Sequence, residues 1–99
     1  MKTLDLEDRY KDFIKTTIEN ILGNVDIYIY GSRVQGKAQK YSDVDIALKW
    51  AYVIPIEKII RLKAVFHDST FPYKVDIVDI KTLSDKFLKI IEKDLYKIN

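Results

Sequence analysis

From Leu4 to Leu22 the apolar residues Leu6, Tyr10, Phe13, Ile14, Ile18, Ile21 and Leu22 recur at spacings of three and four. That is one stripe of a helix, and Gly23-Asn24 stops it. Val25 to Tyr30 alternates and is rich in β-branched and aromatic residues, which predicts a strand. Gly31 breaks it. Ser42 to Lys49 alternates again, with Val44, Ile46 and Leu48 on one face and Asp43 and Asp45 on the other. Pro55 suits the first turn of a second helix, which Ile56, Ile59, Ile60, Lys63 and Phe66 carry to about His67. After a loop at Asp68-Ser69-Thr70, Tyr73 to Ile80 reads as a third strand. Thr82, with Asp85 three residues on, resembles an acidic capping box for a last helix whose apolar face is Leu83, Phe87, Ile90, Ile91 and Leu95.

The predicted order is α-β-β-α-β-α, with no repeat or linker. It implies an α+β, two-layer fold in which helices cover a face of one small mixed sheet. The 99 residues, 1–99, fit a single domain. A domain this small buries a modest share of its surface, so an oligomer or a partner is expected. Cysteine is absent, which excludes disulfides and Cys-based zinc sites. The N-terminus has no signal-peptide run, and no segment approaches ~20 apolar residues. The expectation is a cytoplasmic protein off the membrane. A net charge of +2, from 17 basic and 15 acidic residues, is too balanced to signal nucleic-acid binding.

Asp43 and Asp45 are the first chemical anomaly. Residues i and i+2 of a strand point the same way, with Cα atoms roughly 6.5–7 Å apart. Paired catalytic metals lie about 3.5–4 Å apart, so both carboxylates can reach a shared site. Magnesium prefers such oxygen ligands, completed by phosphate and water. Alone, a D-x-D is commonly two solvated carboxylates, but aspartate is disfavoured in strands. Asp76 repeats the anomaly in the third strand, on the face of Val78 and Ile80, while Asp79 points the other way. Three crowded carboxylates without a cation would raise at least one pKa; a bound metal would let all three stay ionised.

Gly31 to Lys37 (GSRVQGK) fits most of the P-loop pattern G-x-x-x-x-G-K-[S/T]. The P-loop is excluded because position 38 is Ala, no room exists for its long helix, and the chain is too short for a doubly wound sheet. A different phosphate grip survives. Gly31 lets the backbone approach closely, Ser32 offers its hydroxyl and N–H, and a short helix begins behind them. An ordinary Gly-Ser turn is the simpler alternative for these two residues alone.

Together these residues resemble the polymerase-β-type nucleotidyltransferase superfamily: Gly31-Ser32-Arg33, a spacer, Ser42-Asp43-x-Asp45, and Asp76 on a later strand. Within it the chain looks like the minimal nucleotidyltransferases (MNT) of prokaryotes, often encoded beside a helical HEPN-domain partner as toxin–antitoxin pairs. The match runs from the first helix to the last. The chain departs from the group at Gln35 and Gln39, where further basic residues are common and Lys37 and Lys40 are the available cations.

The resemblance implies a nucleotidyltransferase fold and a two-metal Mg2+ site on Asp43, Asp45 and Asp76. It implies that Gly31, Ser32 and, more weakly, Arg33 and Lys37 grip the phosphates. The implied reaction is transfer of a nucleoside monophosphate, AMP from ATP, to a hydroxyl of a partner protein, with a HEPN toxin as that partner. The alternative is an antitoxin that neutralises by contact alone. A template-directed polymerase is disfavoured by the charge balance and the lack of a second domain. His67, the single histidine, suits a helix C-terminus. Trp50 and Tyr52 read as cover for the core edge, and Lys86, Lys89, Lys93 and Lys97 as a solvated face partly paired with Asp85, Glu92 and Asp94.

Overall fold

The computed structural model describes residues 3–39 and 41–99. Its elements are α1 (Asp8–Leu22), β1 (Asp26–Tyr30), α2 (Ser32–Gln35), β2 (Val44–Lys49), α3 (Ile56–Asp68), β3 (Val75–Asp79), α4 (Asp85–Ile91) and β4 (Tyr96–Lys97), with 3-10 turns at Ile80–Thr82 and Glu92–Asp94. The sheet runs β3-β2-β1-β4. β1 is antiparallel to β2 and β4, while β2 and β3 are parallel. The result is the small mixed sheet of an α+β fold that the alternating segments predict.

The two long helices share one face of the sheet. Ile14, Ile18 and Leu22 of α1 and Leu62 and Phe66 of α3 form one core with Ile27, Ile29, Val44, Ile46, Leu48 and Ile77. The opposite face is partly covered too. Ile91 of α4, with Leu88, Leu83 and Leu95 around it, packs on Tyr30 and Ala47. The buried stripe of α3 differs from its apolar spacing, because Ile56 and Ile60 are exposed and Leu62 and Phe66 are buried. No described helix is long and apolar enough to cross a membrane.

Several boundaries move for identifiable reasons. α1 starts at Asp8 rather than near Leu4, because the Asp5 backbone is used elsewhere: its N–H donates to the Arg33 carbonyl and its own carbonyl accepts from the Arg33 side chain. The last helix is capped by Ser84, whose hydroxyl accepts from the Phe87 N–H at 3.1 Å. Thr82 is not the cap; its hydroxyl donates to the Asp79 carbonyl. The helix ends at Ile91, and Leu95 lies beyond it. The chain then forms β4, which covers the free edge of β1, an element that two residues cannot announce. The lysines of this end do not pair with Asp85, Glu92 or Asp94 among the described residues; Lys97 instead lies 3.5 Å from Asp26. Lys40 lies outside the described residues.

Asn99 completes the β1 edge with its side chain. Its Oδ1 accepts from the Ile27 N–H at 3.0 Å and its Nδ2 donates to the Val25 carbonyl at 2.6 Å. Asn99→Ala leaves two strand groups unsatisfied and should cost about 1–2 kcal/mol, read as a lower urea midpoint at unchanged slope.

Candidate active site

Parallel pairing of β2 and β3 sets Asp45 directly beside Asp76. Neighbouring strands lie ~4.8 Å apart, so the two carboxylates share one face at close range. Asp43 stands one residue before β2, just ahead of Val44, whose N–H donates to the Lys74 carbonyl at 2.9 Å and opens the pairing. The expected sharing of a face by Asp45 and Asp76 is what the register gives. Asp79 takes the opposite face, buried, where its carboxylate accepts from the N–H groups of Ile54 and Lys81. It fixes the loop before α3 to the end of β3.

Among the described residues, none of Asp43, Asp45 and Asp76 has an ion-pair partner. Burial, then the charges of Asp76 and Asp43, hold the Asp45 carboxyl above its ordinary range. Tyr30, opposite Asp45 in the antiparallel register, is pushed up to about 12 by burial and by Asp45 and Asp76. Its hydroxyl therefore stays protonated beside the carboxylates. Sequence reasoning missed Tyr30; only the strand register brings it here. Among the described residues no three acidic or histidine side chains close round a single point. The donor set is an adjacent pair, Asp45 and Asp76, with Asp43 two positions along the chain from Asp45. All-carboxylate oxygen donors with no protein cation to balance them fit a hard divalent metal.

Gly31 is fitted to this site. It holds φ 80°, and a Cβ there would collide with the Asp45 carboxylate oxygen Oδ2 and sit 3.4 Å from its carboxyl carbon. No side chain fits between the loop and the acid. Ser32 follows, half-buried, as the first residue of the short α2.

Arg33 is not a phosphate contact in this structure, contrary to the expectation. It is 4% exposed. Its Nη1 donates to the Asp5 carbonyl at 2.9 Å, its Nη2 to the Ser42 carbonyl at 2.8 Å, and its guanidinium lies 4.1 Å over the Tyr73 ring. It pins the glycine loop to the residue before Asp43 and to the approach to β3. Gln35 donates to Asp94 at 2.7 Å, and Lys37 is exposed. His67 is exposed beside Asp68. Trp50 donates to the Leu22 carbonyl at 2.9 Å, a core-edge role, with Tyr52 edge-on to it. An open groove of about 930 Å³ is lined by Asp43 and Asp76 together with Phe71, Tyr73, Lys63 and His67. Its loop carries no motif that would mark it in the sequence.

Two predictions follow from these environments. With a native pKa above the unfolded one, Asp45 weakens the fold as pH rises through the carboxylate range, and the penalty persists at neutral pH. Asp45→Asn should therefore raise the urea midpoint at neutral pH. The gain should vanish at a pH low enough to protonate the native carboxyl. Arg33→Lys loses the fork that serves two carbonyls and an aromatic face, and should cost about 2–3 kcal/mol of stability, read by the same denaturation.

The family comparisons agree with this geometry. Residues 10–98 match the family model described as "Polymerase beta, Nucleotidyltransferase". The chain is 36% identical over 90 residues to the probable protein adenylyltransferase MntA of Haemophilus influenzae, covering 91% of this chain and 79% of that protein. Among solved structures, a toxin–antitoxin with AMP-PNP superposes with a TM-score of 0.78 at 22% identity, over 90% of this chain and 72% of the other. A complex of tri-AMPylated Shewanella oneidensis HEPN toxin with MNT antitoxin gives 0.74 at 19% identity, over 95% and 72%. These two share the fold. With nearly its whole length matched, this chain belongs to the polymerase-β-type nucleotidyltransferase family.

Proposed function

We propose that this protein transfers AMP from ATP to a hydroxyl of a partner protein, as the antitoxin of a HEPN/MNT pair. The observation that supports the reading is Asp45 paired with Asp76 and set against Gly31, with Asp43 two residues before Asp45 and no ion-pair partner for any of the three among the described residues. A bound cation would relieve the repulsion that holds the Asp45 carboxyl high. The relatives' names supply the substrate class: MntA is a probable protein adenylyltransferase, and an MNT antitoxin was solved with an AMPylated HEPN toxin. A further toxin–antitoxin structure of this fold carries glutamate at two aspartates spaced i, i+2.

Each residue then has a role. Asp43 and Asp45 hold the magnesium that carries the triphosphate. Asp76, with Asp45, holds a second one and accepts the proton of the acceptor hydroxyl. Bound magnesium supplies charge neutralisation for the attacking and leaving oxygens. Ser32 and the backbone after Gly31 hold the outer phosphates; Lys37, exposed on the same loop, is a further contact. The acceptor oxygen bonds to the α-phosphorus, the bond from that phosphorus to its bridging oxygen breaks, and pyrophosphate leaves. Positioning and electrostatics do most of the work. The setting is the cytoplasm, where ATP is abundant.

The test is label transfer. Purified protein, α-labelled ATP, magnesium and the HEPN protein encoded beside it should give label on that protein. Asp43→Ala/Asp45→Ala should lower the transfer by roughly a thousandfold or more. A tight complex without transfer from any of the four triphosphates would instead make this an antitoxin acting by contact.

A further inference from the structure

Apart from Asp43, the groove beside Asp76 is lined by residues with no role in holding the triphosphate in the function proposed above. Gly31 and Ser32 follow β1, on one side of β2, whereas Asp76 lies on β3, on the other side. Neither Gly31 nor Ser32 lines the groove, whereas Asp43 and Asp76 do. Displacement at phosphorus runs in line, so the nucleophile enters opposite the leaving pyrophosphate. With the outer phosphates on the β1 side, the entering hydroxyl must come from the β3 side, where the groove opens.

The walls indicate what enters. Phe71, Pro72 and Tyr73 give the groove an apolar side, and Phe71 is set rigidly by its contacts with Phe13, Phe66 and Tyr10. The outer rim carries Lys63 and Lys74, both exposed and, among the described residues, without an ion-pair partner, together with His67. β3 is the edge strand of the sheet beside this groove. An extended segment can lie along such an edge while its side chains use the adjoining pocket.

We propose that this groove is the docking site for the acceptor segment of the partner protein, a stretch bearing the hydroxyl residue with acidic neighbours. The hydroxyl lies toward Asp76 and the neighbouring carboxylates meet Lys63 and Lys74. The proposal rests on the acceptor being a protein hydroxyl, as in the function proposed above. It assigns Lys63 and Lys74 to acceptor selection and leaves ATP binding to the other side of β2.

The experiment uses the full chain with the HEPN protein encoded beside it. Lys63→Glu/Lys74→Glu reverses two exposed charges and leaves the core intact, which a urea titration checks. The expected result is a rise of about tenfold or more in the KM for the partner, with the KM for ATP and the transfer rate at saturating partner little changed. An unchanged KM for the partner, or a rise in the KM for ATP instead, overturns the proposal. A second arm does not depend on transfer. A photoreactive benzoylphenylalanine at position 64, an exposed groove residue outside the aromatic cluster, should crosslink to the partner in the presence of a non-hydrolysable ATP analogue, and the Lys63→Glu/Lys74→Glu background should suppress it. If the wild-type protein transfers nothing, the functional reading fails by itself; a crosslink at position 64 still supports the groove, and its absence overturns it.

Discussion

The site depends on a repulsion. Parallel pairing puts Asp45 beside Asp76, and the two carboxylates share a face with no protein cation to balance them among the described residues. Partial burial, and then the charges of Asp76 and Asp43, hold the Asp45 carboxyl above its ordinary range. A strand pair would more comfortably carry threonine or valine at these positions. The neighbouring features make sense as ways of tolerating this cost. Tyr30 opposite Asp45 stays neutral and adds no third charge. Gly31 removes the one side chain that would displace the Asp45 carboxylate. The hydrophobic residues of β2, Val44, Ile46 and Leu48, are fully buried on the other face, so the strand cannot slip by one residue without burying its acids.

Arg33 solves the complementary problem of holding loops that have no ladder of their own. The chain between α2 and β2 is not strand, yet it must deliver Asp43 to a fixed place. The guanidinium reaches the Ser42 carbonyl and the Asp5 carbonyl while covering Tyr73, so three segments distant in sequence meet on one side chain. A planar fork with several donors can serve two carbonyls and stack at once; lysine cannot. Burial of an arginine is costly, and one of its nitrogens, Nε, is buried without a partner. The charge is spent on positioning. A basic residue placed directly after Gly-Ser reads as an anion contact, and only the fold shows where its side chain goes.

The legible parts of the sequence were those with a period. The stripe of α1 and the alternation of β1, β2 and β3 gave the elements, and alternation alone told Asp76 from Asp79. The register pairing of Asp45 with Asp76 needs β2 and β3 to adjoin, which alternation alone does not set. Illegible were features set by contacts remote in sequence. β4 has two residues and exists because β1 has an open edge; Ser84 rather than Thr82 caps α4 because the Thr82 hydroxyl meets the Asp79 carbonyl first. Ile56 and Ile60 fall outside the buried face of α3 because Leu62 and Phe66 set its rotation. The groove is drawn from α3, a loop and the two acids at once, so no single stretch of sequence could name it.

The division of the molecule about β2 also bears on how so short a chain could choose its substrate. Surface already built for the fold can supply discrimination. The aromatic cluster of Tyr10, Phe13, Phe66, Phe71 and Tyr73 joins α1, α3 and the approach to β3, each such pair adding about 0.5–1.5 kcal/mol beyond its buried area. Phe66, Phe71 and Tyr73 of that cluster also wall the groove. Rigidity needed for stability thus serves as a preformed surface beside the reacting carboxylates, and preformed surface costs little ordering when a partner binds. Substitutions in this cluster would disturb the fold and the groove together. Those on the rim, at Lys63 and Lys74, separate the two, which is why substrate choice is best sought in the exposed charges rather than in the rings beneath them.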